Sequence, residues 1–233
     1  MRREGHRDAA LRMREGTARG DGEGTGLKRV EDAALCAGCG GLCCLHAPGN
    51  YAPHDLDAFG GVCTDAVSRM LDAGQAAINA SLVAVYWLPV VPLLTLGARG
   101  IGKQALCLCC GDRRCVHLGA KGCALALDER PFECAVMVPH ADRRLCRMPG
   151  DTSMEELWLE HQGILREAVE LRTGRPWRDE LMRQLIRAPV DDAFANGARE
   201  LIDTLGFASD DASIRETVAA WKTEGVHGGP ADG

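Results

Sequence analysis

Four cysteines fall within nine residues, Cys36-Ala-Gly-Cys39-Gly-Gly-Leu-Cys43-Cys44, and nothing else in the chain limits its folding so tightly. Thiolates are the strongest soft metal ligands a protein carries. A C-x-x-C pair wraps one tight turn, so both sulfurs reach a single ion while backbone N–H groups point at them. Gly38, Gly40 and Gly41 suit that turn, because glycine takes positive φ and lets the backbone approach closely. Two later stretches answer the first: Cys115-Val-His-Leu-Gly-Ala-Lys-Gly-Cys123 and Arg130-Pro-Phe-Glu-Cys134. The expectation is a cysteine-ligated metal or iron–sulfur module.

Twelve cysteines in 233 residues admit two explanations. Disulfide frameworks belong to small secreted domains and need an export signal. Here the start, Met1-Arg2-Arg3-Glu4-Gly5-His6-Arg7-Asp8, is charged throughout, with no apolar run behind it. A cytoplasmic chain with reduced thiols is therefore expected, and such thiols point to metal or redox work. A net charge of −6 and a pI near 5.7 argue against nucleic acid, which wants a basic face. With 4 Trp, 2 Tyr and 4 Phe, platforms for stacking bases are also scarce. No membrane role is expected either. The apolar stretch Ser81–Gly97 falls short of the roughly 20 residues a spanning helix needs, and Pro89 and Pro92 interrupt it. It reads as a buried strand or extended core.

Along the chain, residues 1–30 are Arg-, Glu- and Gly-rich and read as a disordered arm. Residues 53–80 read as helical, with Asp55 or a neighbour capping and Val62, Ala66, Met70 and Ala73 at helical spacing. Cys63 lies inside that helix and is expected to be a small buried side chain. Gly97-Ala-Arg-Gly-Ile-Gly102-Lys103-Gln104 fits the outline of a phosphate-binding loop, but Gln104 stands where a magnesium-binding hydroxyl belongs. The helix to follow it would be cut short at Gly111, so no nucleotide site is assigned. Residues 31–150 form the expected cysteine-cluster domain, and within 105–150 little regular structure is expected. Metal bonds would have to supply local order there.

From Asp151 the pattern changes to helices. Ser153-Met-Glu-Glu156 forms a capping box, and Leu157, His161, Ile164, Leu165, Ala168 and Leu171 line one face until Gly174. His161 is expected to pack rather than ligate. Further helices are expected around 177–187, 191–205 and 212–224, so that residues 151–233 make a helical C-terminal region packed on the cluster or docking a protein partner. The fold class expected is mainly α, with irregular, metal-stapled cysteine-rich loops and a helical C-terminal layer.

With these residues in view, the chain resembles the bacterial YkgJ-type cysteine-cluster family, described as a zinc- or iron-chelating domain. The family pattern is CxxCxxxCC, then C-x-x-L, G-C-x-L and R-P-x-x-C. It stands here as Cys36, Cys39, Cys43 and Cys44, then Cys115-Val-His-Leu118, Gly122-Cys123-Ala-Leu125 and Arg130-Pro131-Phe-Glu-Cys134. Some relatives carry one more cysteine soon after, where Cys146 lies. The resemblance spans roughly residues 31–165. It implies a metal-ligand pool of Cys36, Cys39, Cys43, Cys44, Cys115, Cys123, Cys134 and Cys146. The run Cys107-Leu-Cys109-Cys110 departs from the pattern and is a second ligand source, a redox pair or an ornament.

Eight thiolates are twice what one tetrahedral zinc or one four-cysteine cluster takes. Adjacent Cys43 and Cys44 project in different directions and so are expected to serve different centres, or a centre and its surroundings. Arg130 and Pro131 would give a rigid turn and a guanidinium near the thiolates, or simply an exposed arginine. His46 and His117 flank the cysteines, and either could replace a thiolate as imidazole does in zinc sites, though packing is expected of His117. Ligand type leaves zinc and iron both open; dense cysteines among glycines favour iron–sulfur, in its four-iron form. Three functions follow. The chain is an electron carrier, sensor or accessory factor; or a cluster-dependent enzyme like the family's flagellin lysine methylases, using S-adenosylmethionine; or a structural zinc module. The spacing of radical S-adenosylmethionine chemistry, CxxxCxxC, is lacking, and no catalytic residues are assigned.

Overall fold

A computed structural model describes residues 40–46, 48–84, 87–100, 106–107, 114–120, 122–139, 146–147, 153–188, 192–208 and 210–223. The expected arm at 1–30, together with Cys36, Cys39, Cys109 and Cys110, lies outside them. Among the described residues the protein is mainly helical around a small mixed sheet.

The first half builds the sheet. Helix α1 (Leu42–His46) leads into strand β1 (Asn50–Tyr51) and a 3-10 segment (Pro53–Phe59). Helix α2 (Thr64–Asp72) is followed by β2 (Ala77–Val83), β3 (Val91–Gly97) and β4 (Leu106–Cys107). The strand order is β1-β3-β2-β4, with β4 parallel to β2 and the other pairs antiparallel. The helix expected over 53–80 is thus three elements. Gly60 and Gly61 take positive φ and end the 3-10 segment, and Gly74 does the same after α2. Such conformations suit glycine and stop a helix. Cys63 therefore sits at the N-cap of α2 and is exposed, which corrects its reading as a buried helical residue. The apolar stretch at 81–97 does supply buried strand, and every residue of β3 is buried.

The outer edge of β3 is closed piece by piece. β1 pairs with Leu96 and Gly97. Further along, the Gln162 side chain acts as a missing strand: Leu94 N donates to its Oε1 at 2.8 Å, and its Nε2 donates to Leu94 O at 2.8 Å. At Val90 the backbone of Gly206 and Ala208 takes over. By the same alternation Pro92 has its missing N–H on this edge, where no ladder bond is lost.

Two short ribbons follow, β5 (Leu118–Gly119) with β6 (Gly122–Cys123), and β7 (Val138–Pro139) with β8 (Cys146–Arg147). Between them lie a 3-10 turn (Leu127–Glu129) and α3 (Phe132–Val136). The second half comprises α4 (Met154–Leu157), a 3-10 turn (Leu159–His161), α5 (Gln162–Thr173), α6 (Trp177–Arg187), α7 (Ala193–Leu205) and α8 (Asp211–Thr223). Ser153 caps α4 by accepting from Glu156 N, and Gly174 at φ 66° ends α5. Leu171, expected on the inner face, is 67% exposed. Its place on α5 points away from the sheet, as the three neighbours Leu165, Ala168 and Val169 turn in.

One face of the sheet presents Ile78, Ala80, Leu94 and Leu96 to α2, α3, α5 and α6 in a single core that includes Trp158, Leu165, Leu181 and Leu185. A smaller cluster joins Val83, Val91 and Leu93 to Ile214 and Val218 of α8. No helix among the described residues is long and apolar enough to cross a membrane.

Candidate functional site

The site lies where α1, the turn into β5, β6 and α3 meet beside the end of the sheet. The sequence fixes each approach locally. Gly40 and Gly41 take φ of 63° and 76° and turn the chain into α1. A Cβ on Gly41 would stand 2.6 Å from Leu118 Cδ1, so this glycine is also what lets α1 settle on β5. Cys115 N donates to Cys44 O at 2.7 Å, and Arg99 and Cys115 form an antiparallel bridge, which ties the thiol region to the chain leaving β3. Cys123 pairs with Leu118 across the β5–β6 ribbon.

Helix α3, which carries Cys134, is anchored by two carboxylates. Asp55 Oδ2 accepts from Ala52 N at 2.9 Å and from Phe132 N at 2.7 Å, so one buried side chain starts both the 3-10 segment and α3. Glu133 Oε2 accepts from Asn50 N at 2.6 Å and from Asn50 Nδ2 at 2.7 Å. Asn50 in turn accepts from Asn79 Nδ2 at 2.8 Å, which links α3 to β2.

Four thiols from separate parts of the sequence are brought together. The Cys44 thiol hydrogen-bonds the sulfur of Cys115 and holds that thiol below its ordinary range, against burial, with help from His117 N at 3.4 Å. Charge on Cys134 or Cys123 would push Cys115 back up. Burial drives the Cys134 thiol well above its ordinary range, and Glu133, Cys44 and Cys123 add to the effect while Gly49 N–H opposes it. These are the marks of mutual proximity: one thiolate is stabilised by a neighbour's S–H, while further ionisation is resisted by repulsion. Cys134 as a residue is half-buried, but its sulfur lies against Gly49, where a Cβ would come within 2.4 Å.

Of the expected ligand pool, Cys44, Cys115, Cys123 and Cys134 thus share one neighbourhood. Cys43 lies in α1 and Cys146 in β8, with side chains outside the described residues, as is that of His46. Among the described residues, no three His, Cys, Asp or Glu side chains already stand at ion-holding distances. His117 Nε2 lies 2.8 Å from Tyr51 Oη, and burial lowers its pKa. This is the packing arrangement expected of it. Arg130 Nε donates to Leu125 O at 3.3 Å, bracing the turn before Pro131. His161 packs edge-on against Trp158, with ring centroids 6.1 Å apart.

Sequence reasoning missed Gly49, Asn50 and Glu133, and it gave Asp55 only a capping role, not the bond from Phe132 N. The residue pair Glu133-Cys134 within R-P-x-x-C was a local signal that a carboxylate accompanies the last cysteine. No family model matches the chain, and no curated protein or solved structure matches it.

Proposed function

We propose that this chain is a metal-binding protein whose thiolate centre is built on Cys44, Cys115, Cys123 and Cys134. The observation that carries the reading is the contact between the Cys44 and Cys115 thiols, because it joins the N-terminal cysteine run to a residue 71 positions further on, in one neighbourhood with Cys123 and Cys134. Thiols gathered in this way bind a cation that displaces their protons. The donor set suits such a cation: four cysteines are what a tetrahedral zinc or a four-iron cluster takes. Closing on zinc at a Zn–S length of about 2.3 Å requires the thiols to draw closer than they stand. Cys36, Cys39, Cys43 and Cys146 supply the remaining pool for a second centre or for exchange.

An iron–sulfur cluster bound here would supply one-electron transfer, and zinc would supply only a structural tie. The chain's own part is to orient the sulfurs: His117 N–H and Gly49 N–H face Cys115 and Cys134, and Asp55 and Glu133 fix α3. An electron carrier, sensor or accessory factor is the role proposed. Anaerobic purification of the full chain with elemental analysis and visible spectroscopy tests it. Brown protein with iron and sulfide, lost on Cys44→Ser or Cys115→Ser, is the expected result. Colourless protein with stoichiometric zinc would make it a structural module, and metal-free protein after reconstitution with both would end the reading.

A further inference from the structure

Arg99 is 8% exposed, and a guanidinium does not give up its charge inside a protein. A buried cation left uncompensated costs several kcal/mol, so such a group has a negative partner nearby. Among the described residues no carboxylate forms an ion pair with Arg99. Its Nε has no hydrogen-bond partner, and one terminal nitrogen reaches only the Cys107 sulfur, at 3.9 Å. Among the described residues, a carboxylate within electrostatic reach is Glu133, whose Oε2 is already committed to two donors on Asn50.

Arg99 is also built into the thiol region. Its backbone pairs with Cys115, and the next ladder contact, Val116 N to Ala98 O at 3.1 Å, holds that pairing in register. A four-thiolate zinc or a four-iron cluster carries net negative charge, which is what the guanidinium lacks. We infer that Arg99 is the fixed counter-charge of the thiolate centre, a positioning residue that stabilises the metal-bearing, net-negative set of sulfurs over the protonated one. This rests on the proposed centre at Cys44, Cys115, Cys123 and Cys134.

The test compares the wild-type chain with Arg99→Lys, Arg99→Met and Arg99→Gln, each checked for folding by circular dichroism. Zinc release to a chromophoric chelator is read first. Residues that support metal ligands typically change affinity 10- to 100-fold when altered, so Arg99→Met and Arg99→Gln should weaken retention by about that factor, with Arg99→Lys restoring most of it. After reconstitution with iron and sulfide, the neutral variants should show a more negative midpoint potential, since losing a nearby positive charge disfavours adding an electron. A folded neutral variant with wild-type retention and potential overturns the inference while leaving the centre intact. A wild-type chain that takes up neither metal overturns the centre, and the inference with it.

Discussion

A Cβ placed on Gly49 would lie 2.4 Å from the Cys134 sulfur and 3.1 Å from its backbone nitrogen, so this glycine sets how closely α3 approaches β1. Gly49→Ala should push the sulfur away and cost roughly 1–3 kcal/mol, the usual range for overpacking. Chemical denaturation and metal analysis together check it, and an alanine variant with unchanged metal content would place the sulfur outside the centre. Cys134 also carries a pH signature. Its thiol is raised from an ordinary value of 9.0, so in metal-free protein its contribution to stability is present below that value and is lost as pH rises above it. The melting temperature of metal-free protein should therefore fall above about pH 9, and that of Cys134→Ser should fall less. Metal uptake shows the opposite trend: the cation must displace a tightly held proton, so affinity should rise with pH. Cysteine spacing made the thiols legible from the sequence. Gly49, Asn50 and the second role of Asp55 were not, because each acts on a partner at least 77 positions away: Gly49 and Asn50 on the Glu133-Cys134 pair, Asp55 on Phe132.

At the level of elements, the C-terminal helices could be read almost to the residue. The expected 177–187 is α6 (Trp177–Arg187), and 191–205 is α7, capped by Asp192 accepting from Ala195 N at 3.0 Å. Caps, glycine stops and amphipathic spacing are local signals and survive in the sequence. The sheet was harder to see. β1 and β4 are two residues each and gain meaning only from the strands beside them. β2 follows a true helix with only Gly74 to mark the change, and its Asn79 and Ser81 interrupt the apolar run as loop residues would. The Asp55 clamp is the element-level prediction. Asp55→Ala removes the acceptor for Phe132 N and Ala52 N; losing such a cap costs about 1–2 kcal/mol. Hydrogen exchange should quicken in α3 and at Ala52 but not in α6. Uniform quickening everywhere would mean that the carboxylate serves global stability instead.

On the scale of the whole molecule, the core draws on both halves of the sequence, from Tyr51 to Ala198, whereas the thiol region rests on short ribbons and a five-residue helix. Metal removal should therefore act unevenly. A chelator should raise exchange in α1, β5–β6 and α3 while α5 and α6 keep their protection, since local opening follows where packing is thinnest. Loss of protection throughout would make the metal a global folding requirement.

The amide of Gln162 has a consequence beyond the sheet it completes. Strand edges with free N–H and C=O groups invite a strand from another molecule, and proteins guard against this. Gln162, 3% exposed, plugs a gap between β1 and the Gly206–Ala208 segment. Replacing it with leucine would leave Leu94 unsatisfied, at a cost of roughly 1–3 kcal/mol for each stranded group, and would leave that rim receptive to a second chain. Light scattering of Gln162→Leu on mild heating should show self-association well before the wild type, and monodisperse variant protein would show that the seal is not needed.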